Sequence, residues 1–223
     1  MNILILTGGR LDEEFTLGLF EQREFSQVIV VDGALAFWDR VAKKSGNKLT
    51  FTHLVGDFDT ISPDILGKYT NNPAITVHRF NPEKDYTDTD IAVKLAISLG
   101  KTGDQVFVCG ALGSRVDHSL ANLQMLMQIE RAGMQGHIVD PHNHVRLIKD
   151  GARIRKEEQF GDFLSLIPVS PKLTGVSMSG FKYPLQNRDV DWGESLCVSN
   201  EITGEEGQIS IREGYAFLIE SRD

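Results

Sequence analysis

The sequence has few cysteines, no long apolar run and no excess of positive charge. Two cysteines in 223 residues cannot form a disulfide framework, and they lack zinc-site spacing, so we expect two buried, reduced thiols. The 23 basic and 31 acidic side chains give a net charge of −8, which argues against a general nucleic-acid-binding protein. The apolar start, Met1 to Leu6, is too short for a secretory signal, and no run approaches the length of a membrane span. We therefore expect a cytoplasmic protein that binds neither nucleic acid nor a membrane.

The sequence also lacks the two best-known glycine-rich phosphate-binding motifs. Neither GxxxxGKS/T, typical of P-loop proteins, nor GxGxxG, typical of dinucleotide-binding proteins, occurs in the chain. A P-loop kinase and a dinucleotide-dependent dehydrogenase are therefore disfavoured.

The first two thirds of the chain alternate between strand and helix patterns. Short apolar runs followed by turns are typical of buried parallel strands. Ser62-Pro63 predicts a helix start, and Thr87 with Asp90 resembles a capping box before a helix that ends at Gly100. This alternation predicts a parallel α/β sheet. The predicted strands cover residues 2–6, 28–31, 51–55, 75–80, 106–109 and 137–139, and the predicted helices cover 35–44, 65–69, 87–99 and 120–129.

After about Pro141 the pattern changes to short strands separated by turn residues, without a convincing helix. This part is typical of an all-β domain, and a sandwich is expected. We place the boundary between residues 140 and 146, which gives an α/β domain over 1–142 and a β-sandwich over 143–223. The predicted strands cover residues 145–148, 163–168, 176–178, 195–199, 208–212 and 216–220.

The segment Val55 to Thr60 carries two carboxylates, Asp57 and Asp59, directly after a predicted strand. Crowded carboxylates repel one another unless a cation neutralises them, and hard oxygen ligands suit Mg²⁺. In extended backbone the two side chains share one face while Phe58 points the other way, towards the core. A simple Asx turn is the alternative interpretation.

A second acidic cluster, formed by Asp85, Asp88 and Asp90 with Lys84 beside them, surrounds the start of a predicted helix. Carboxylates at a helix N-terminus are favoured by the helix dipole, so capping alone would explain one of them. Three acids around Thr87 exceed what capping needs. Lys84 is a candidate phosphate contact, with a solvated surface lysine as the alternative.

The segment Gly110 to His118 connects a predicted strand to a predicted helix. The glycines Gly110 and Gly113 let backbone amides approach an anion, and the helix N-terminus adds positive partial charge. Arg115 is suited to grip phosphate. Asp117 is a candidate for a metal-linked water, a ribose or Arg115 itself, and His118 for a nucleotide contact or a helix cap.

These loops, together with Gly8-Gly9 and Asp32-Gly33, all follow predicted parallel strands. Open parallel sheets bind ligands at the carboxyl ends of their strands, so five loops converge on one edge. In the β half, the candidates are aromatic or polar residues that could stack on or bind a heterocycle, with a structural role as the alternative for each. They are Tyr183, Trp192, Ser199 and Asn200.

Together these segments resemble the thiamine pyrophosphokinase family. The matching blocks span nearly the whole chain in a fixed order: Asp32-Gly33-Ala34, Gly56 to Thr60, Lys84 to Asp88, Gly110 to His118, Gly180 to Leu185 and Ser199 to Glu201. The resemblance implies an N-terminal α/β nucleotide-binding domain, followed by a β-sandwich for thiamine binding and dimerisation. It also implies a homodimer with thiamine near the interface.

The resemblance implies transfer of the β,γ-pyrophosphoryl group of ATP to the thiamine hydroxyl, with AMP as the leaving group. Asp57, Asp59 and Asp88 match the acidic positions for Mg²⁺ and pyrophosphate, and Asp32 matches a position near the substrate. Tyr183 stands where several relatives carry tryptophan, and Thr60 where serine is common. The ATP-binding candidates are Lys84, Asp85, Gly110, Gly113, Arg115, Asp117 and His118, and those for thiamine are Asp32, Tyr183, Ser199 and Asn200.

Two other functions are compatible with the same residues. One is a different Mg²⁺-dependent nucleotide phosphohydrolase, which would release phosphate without thiamine. The other is a nucleotide-binding regulator without turnover, which the number of carboxylates disfavours.

Overall fold

The computed structural model describes residues 1–81 and 85–223. The chain divides into two compact units, Met1–Pro141 and His142–Asp223. The strands of the first unit are β1 (Asn2–Leu6), β2 (Gln27–Val31), β3 (His53–Gly56), β4 (Thr76–Arg79), β5 (Gln105–Cys109) and β6 (Gln135–Val139). Its helices are α1 (Glu13–Gln22), α2 (Ala34–Lys44), α3 (Pro63–Thr70), α4 (Asp88–Leu99) and α5 (Val116–Arg131).

The six strands of the first unit lie in the order β4-β3-β2-β1-β5-β6, and every pairing is parallel. The chain winds outward from β1 to β4, then crosses through α4 to β5 on the other side of β1. The order therefore reverses between β1 and β5. A crevice at the carboxyl ends of these two strands is where open α/β sheets bind ligands.

Both faces of this sheet are covered, as the apolar runs predict. Leu4 and Leu6 pack with α2 residues such as Leu35 and Trp38, while Ile3, on the other face of β1, is also fully buried. Helix α4 packs against β1, β2 and β3, and α5 packs against α4 and β6. The central strands are thus fixed on both sides, which gives their carboxyl ends a rigid support.

Helices α3 and α4 begin where the capping residues in the sequence predict, whereas α5 begins at Val116, four residues before the predicted start. The Ser62 hydroxyl accepts a hydrogen bond from the backbone N–H of Ile65, and the Thr87 hydroxyl accepts one from that of Asp90. Helix α4 is followed by Gly100, as expected. The prediction of a parallel α/β unit is confirmed.

The second unit consists of antiparallel strands that share one apolar core, which includes Leu164, Leu173 and Leu218. Its two groups of paired strands follow the orders β7-β13-β9 and β11-β10-β12-β8. The all-β prediction for this part is therefore confirmed. The strands are β7 (Asn143–Ile148), β8 (Gly151–Arg155), β9 (Phe163–Pro168), β10 (Lys172–Ser179), β11 (Leu185–Asp191), β12 (Glu206–Ser210) and β13 (Ala216–Ser221).

One predicted strand is wrong: residues 195–199 form turns and bends. The N–H of Val198 donates to the carbonyl of Ser195, and Ser199 has a φ of 55°, which interrupts any ladder. Cys197 is nevertheless buried, and both cysteines are free thiols, as expected.

Three elements were missed by the sequence patterns: α1, β8 and β11. Strand β11 exposes all but two of its seven residues, so it has no apolar alternation to detect. Strand β8 is similarly polar, with Ile154 as its one fully buried residue. Among the described residues, no helix has the length and apolar character needed to cross a membrane.

Candidate functional site

A cavity of about 470 Å³ lies where the sheet order reverses. Its walls are the loops that follow β1, β2 and β5, together with the first turns of α4 and α5. The lining residues are small or polar: Thr7, Gly8, Gly9, Val31, Asp32, Gly33, Thr87, Asp88, Thr89, Gly110, Ala111, Gly113, Ser114, Arg115, His118, Ser119 and Asn122. The crevice is therefore built of backbone and short side chains, as a polyanion site requires.

Two glycines permit the β1 and β5 loops to touch through their backbones. The N–H of Gly9 donates to the carbonyl of Gly110 at 2.9 Å, and the N–H of Arg10 donates to that of Leu112 at 3.0 Å. A Cβ on Gly9 would lie 2.2 Å from the Gly110 oxygen, and Gly110 itself has a φ of 74°. No larger residue fits at either position without moving the backbone.

The start of α4 is joined to the end of β1 by two buried hydroxyl groups. The Oγ1 atoms of Thr7 and Thr89 lie 2.6 Å apart. Asp88, the first residue of α4, lines the same cavity. The helix start therefore brings a carboxylate to the crevice on a fixed support.

Three carboxylates meet at the ends of β2 and β3. One oxygen from each of Asp32, Asp57 and Asp59 lies within 4.8 Å of the others. Asp32 and Asp57 are partly buried, and Asp59 is exposed. Oxygen ligands of one Mg²⁺ at about 2.1 Å are separated by about 3 to 4.2 Å, so a small contraction would suit this cluster to the ion.

The backbone around this cluster is not extended, which corrects the sequence prediction. Phe58 has a φ of 65° and the N–H of Asp59 donates to the Asp57 carboxylate at 3.2 Å, so the segment forms an Asx-type turn. Phe58 is buried, as expected, because its ring packs in the core beneath the sheet edge. Its N–H donates to Asp32 at 3.2 Å, which ties the two acidic loops together.

Burial and neighbouring negative charges raise the pKa of Asp32. Burial is the main cause, and the negative charges of Asp57 and Asp88 add to it. Hydrogen bonds from the backbone of Gly33 and Phe58 oppose the shift. The unneutralised charge at this point is therefore energetically unfavourable, and a bound cation would relieve it.

At the start of α5, Arg115 and Asp117 form a two-point ion pair, one of the alternatives that the sequence left open. The guanidinium donates to the two carboxylate oxygens at 3.2 and 2.6 Å. This contact lowers the pKa of Asp117 to about 2. Arg115 and His118 line the cavity, whereas Asp117 is exposed beside it.

The other predicted residues of the first unit are distributed as follows. Gly110 and Gly113 lie in the cavity wall, while Asp85 is exposed. Lys84 lies outside the described residues. Asp57 and Asp59 lie next to the cavity through Asp32, which belongs to both groups.

In the second unit, Asn200 is buried and its side chain holds two backbone segments. Its oxygen accepts from the N–H groups of Tyr183 and Glu201, and its nitrogen donates to the Tyr183 carbonyl at 2.8 Å. Tyr183 has an exposed ring, and the N–H of Ser199 donates to Ser165. The Asn200 side chain therefore positions the Tyr183 loop, and its amide is occupied by these backbone contacts. Trp192 is exposed and offers a further aromatic ring.

Four polar cavity residues were not predicted from the sequence: Thr7, Thr89, Ser119 and Asn122. Asn122 is buried in α5 and donates to the Ala111 carbonyl at 2.7 Å, which fixes the β5 loop. A buried asparagine or threonine has no local sequence signature. The one signal in the sequence was that these residues lie close along the chain to the acidic and glycine-rich blocks.

Two family models match the chain. The model described as thiamin pyrophosphokinase, catalytic domain, matches residues 20–137, which is more than half of the chain. The model described as thiamin pyrophosphokinase, vitamin B1 binding domain, matches residues 152–216.

Curated relatives agree with these models. A thiamine pyrophosphokinase from Bacillus subtilis is 32% identical over 168 residues, which cover 75% of this chain and 77% of that protein. Thiamin pyrophosphokinase 1 from Caenorhabditis elegans is 26% identical and covers 86% of this chain and 78% of its own length.

Solved structures show the same fold. The crystal structure of thiamine pyrophosphokinase from Bacillus subtilis has a TM-score of 0.84 and 28% identity, with both chains covered completely. That from Geobacillus thermodenitrificans has a TM-score of 0.79 and 27% identity, covering 100% of this chain and 98% of the other.

A doubly wound sheet with a glycine-lined, acidic crevice at its reversal point is typical of α/β ligand-binding proteins. Here that unit is combined with an antiparallel β unit, and both match one family in sequence and fold. The chain belongs to the thiamin pyrophosphokinase family. The phosphohydrolase and the regulator without turnover are therefore not favoured.

Proposed function

We propose that this enzyme transfers the β,γ-pyrophosphoryl group of ATP to the primary hydroxyl of thiamine, forming thiamine diphosphate and AMP. The observation that carries the proposal is the meeting of Asp32, Asp57 and Asp59 beside the glycine-lined cavity. Such a cluster suits a cation held next to a bound polyanion, the combination that pyrophosphoryl transfer needs.

The polyphosphate would bind in the cavity. The Gly8-Gly9 and Gly110 loops offer backbone at close approach, and the N-termini of α4 and α5 contribute positive partial charge. Arg115 would leave Asp117 in part to contact a phosphoryl group through its planar fork. Lys84, which lies outside the described residues, and Asp85 remain candidate ATP contacts, with His118 as a nucleotide contact.

Mg²⁺ would be held by carboxylates. Asp32, Asp57 and Asp59 fit the ion because they offer only oxygen ligands at close spacing, and because a cation would offset the burial and the like charges that raise the pKa of Asp32. Asp88, which lines the same cavity, would bind the ion directly or through water. When bound, Mg²⁺ supplies neutralisation of the polyphosphate charge.

The residues then act mainly by positioning. The hydroxyl oxygen of thiamine forms a bond to the β-phosphorus, the bond from that phosphorus to the oxygen of AMP breaks, and the hydroxyl proton leaves to a nearby carboxylate. The attacking and leaving oxygens must lie in line. The rigid ends of β1, β2 and β5 hold the donor groups in that arrangement.

The second unit would contribute the thiamine contacts. Tyr183 offers an exposed ring for a flat heterocycle, and Asn200 fixes the loop that carries it. Ser199 adds an exposed hydroxyl. A homodimer and a cytoplasmic location are parts of the same proposal, and sedimentation of the purified protein and cell fractionation test them.

Replacing the acidic residues tests the proposed reaction. We expect Asp57→Asn and Asp59→Asn each to lower thiamine-dependent AMP formation about 100-fold or more, because charge neutralisation at the polyphosphate is lost. Circular dichroism should be unchanged. AMP release is measured with MgATP in the presence and absence of thiamine.

Asp64→Asn is the matched control, because Asp64 is an exposed acid at the start of α3. It should retain full turnover. Near-normal rates for the Asp57 and Asp59 variants, or AMP release that ignores thiamine, would refute the proposal.

A further inference from the structure

The Thr7–Thr89 hydroxyl pair has more hydrogen-bonding capacity than its own contact uses. Both side chains are buried, at 3% and 9% exposure, and their oxygens lie 2.6 Å apart. A threonine hydroxyl donates one hydrogen bond and accepts two. The two hydroxyls together can donate two hydrogen bonds, and the contact between them uses one of these donors.

The second proton needs an acceptor. Within residues 1–81 and 85–223, neither hydroxyl makes a hydrogen bond other than the one that joins the pair. The nearby Gly110 carbonyl already accepts from the N–H of Gly9, and the Thr7 N–H is bound to the Cys109 carbonyl. A buried donor without a partner costs about 1–3 kcal/mol, so buried hydroxyls normally find an acceptor.

Both threonines line the cavity that the proposed function assigns to the polyphosphate. Thr7 directly follows β1, and Thr89 lies in the first turn of α4, whose positive end attracts anions. Phosphoryl oxygens only accept hydrogen bonds at neutral pH, whereas a cation offers no acceptor. The surroundings therefore favour an anionic oxygen over a metal ion as the partner of this proton.

We propose that the Thr7–Thr89 pair donates its second proton to a phosphoryl oxygen of the bound nucleotide, which makes both threonines polyphosphate-binding residues. This inference rests on the proposed function. In the ligand-bound enzyme the proton chain runs from one hydroxyl to the other and on to phosphate. The shared hydrogen bond polarises the outer hydroxyl and strengthens its donation.

The competing interpretation is that the pair only ties α4 to β1. Valine substitutions distinguish the two interpretations, because valine keeps the shape of threonine and lacks the hydroxyl. Replacing both partners of a buried hydrogen bond by apolar groups is nearly neutral for stability. Thr7→Val/Thr89→Val should therefore stay folded, with a melting temperature close to that of the parent protein, and still lose the donor.

The experiment compares Thr89→Val, Thr7→Val, the double variant and Thr89→Ser. Two measurements are made on each: kcat/KM for thiamine-dependent AMP formation, and MgATP affinity by calorimetry without thiamine. We expect the valine variants to lose about 10- to 100-fold in kcat/KM and in affinity, because a donor to a charged group is removed. Thr89→Ser should stay within about threefold of the parent protein, since the hydroxyl remains.

Thr16→Val is the matched control. Thr16 is a buried threonine in α1, and its hydroxyl donates to the Asp12 carbonyl at 2.7 Å, away from the cavity lining. Its kinetics and MgATP affinity should be unchanged, even where its melting temperature falls.

The outcomes distinguish this inference from the proposed function. A folded double variant with parental kcat/KM and MgATP affinity overturns the inference, although the proposed function stands. If the parent protein binds MgATP but forms no thiamine-dependent AMP, the proposed function fails. Loss of MgATP affinity in the valine variants would then still support phosphate donation by the pair. A parent protein that does not bind MgATP overturns both.

Discussion

At the scale of single residues, the acidic turn combines strain with charge. Asp32 and Phe58 both have positive φ values, 37° and 65°. A bulky residue in this region costs about 1 kcal/mol or more, which is tolerated here because the Phe58 ring is buried and its N–H is bound to Asp32. Gly56 is needed beside them, since a Cβ there would lie 3.0 Å from the Asp32 Cβ. This strained turn therefore holds Asp57 and Asp59 next to Asp32.

Removing one charge from this cluster should stabilise the metal-free protein. We expect Asp32→Asn to raise the free energy of unfolding at pH 7 by a few tenths to about 1 kcal/mol, after allowance for solvent screening. The asparagine oxygen can still accept from the Phe58 N–H. Activity should be lost in the same variant, since a carboxylate of the cluster is gone.

The pH dependence follows from the raised pKa of Asp32. A carboxyl whose folded-state pKa lies above its unfolded value, about 3.9, favours folding below that value and loses this contribution as the pH rises through the folded pKa. The advantage of Asp32→Asn should therefore shrink as the pH falls towards 4. Urea unfolding at several pH values without divalent metal measures it, and an advantage that grew at low pH would contradict the assignment.

At the scale of elements, a buried carboxylate joins α2 to α3. Asp39 of α2 accepts hydrogen bonds from Lys68 at 2.7 Å and from the Tyr69 hydroxyl at 2.9 Å, and it pairs with Lys43. Burial alone would raise the pKa of Asp39, but these three partners lower it well below its usual range. This network holds α3, and with it the Asp57–Thr60 turn that precedes the helix.

Asp39→Asn should destabilise the protein by about 1–3 kcal/mol at pH 7, because buried charged hydrogen bonds are weakened while Lys68 keeps its charge. A depressed folded-state pKa contributes stability above the unfolded pKa, about 3.9, and loses it as the pH falls through the folded value. The difference from the parent protein should therefore shrink in acid. Chemical unfolding at pH 7 and at a series of pH values from about 4 down to about 2 tests this, because the loss falls below the unfolded pKa. Asp64→Asn is an exposed control that should change by less than about 0.5 kcal/mol at pH 7.

At the scale of the whole molecule, the chemistry is concentrated at the point where the sheet order reverses. The β1 and β5 loops meet there through the Gly9–Gly110 contact, and α4 crosses to the same point. Ligand binding at such a junction links strands that are distant in sequence. Ligand binding should therefore stabilise the whole first unit against unfolding.

MgATP should raise the melting temperature of the protein. At 100 times the dissociation constant, a ligand that binds only the folded state contributes about 2.7 kcal/mol, which is about 5–10 °C for a chain of this size. Differential scanning calorimetry with MgATP, ATP plus chelator and MgCl₂ alone measures it. Asp57→Asn should lose most of the MgATP shift, and an equal shift in that variant would argue against metal-dependent binding.

The sequence anticipated the parts of the fold that depend on local pattern. Apolar runs of four or five residues identified the buried strands, and Ser62 and Thr87 marked helix starts because capping is a local interaction. Strand β11 and the turns at 195–199 were misjudged, since their conformation is set by partners elsewhere in the second unit. The intrinsic strand preference of the residues does not determine the conformation of such segments.

The sequence by itself determined the composition of the site: which carboxylates, glycines and basic residues are available, and which family their order matches. Only the tertiary structure decided that Asp32 meets Asp57 and Asp59, and that Thr7 lies against Thr89. The reason is that side chains separated by 25 to 82 positions are brought together by strand order and loop backbone. Those depend on packing over the whole sheet, which no local pattern encodes.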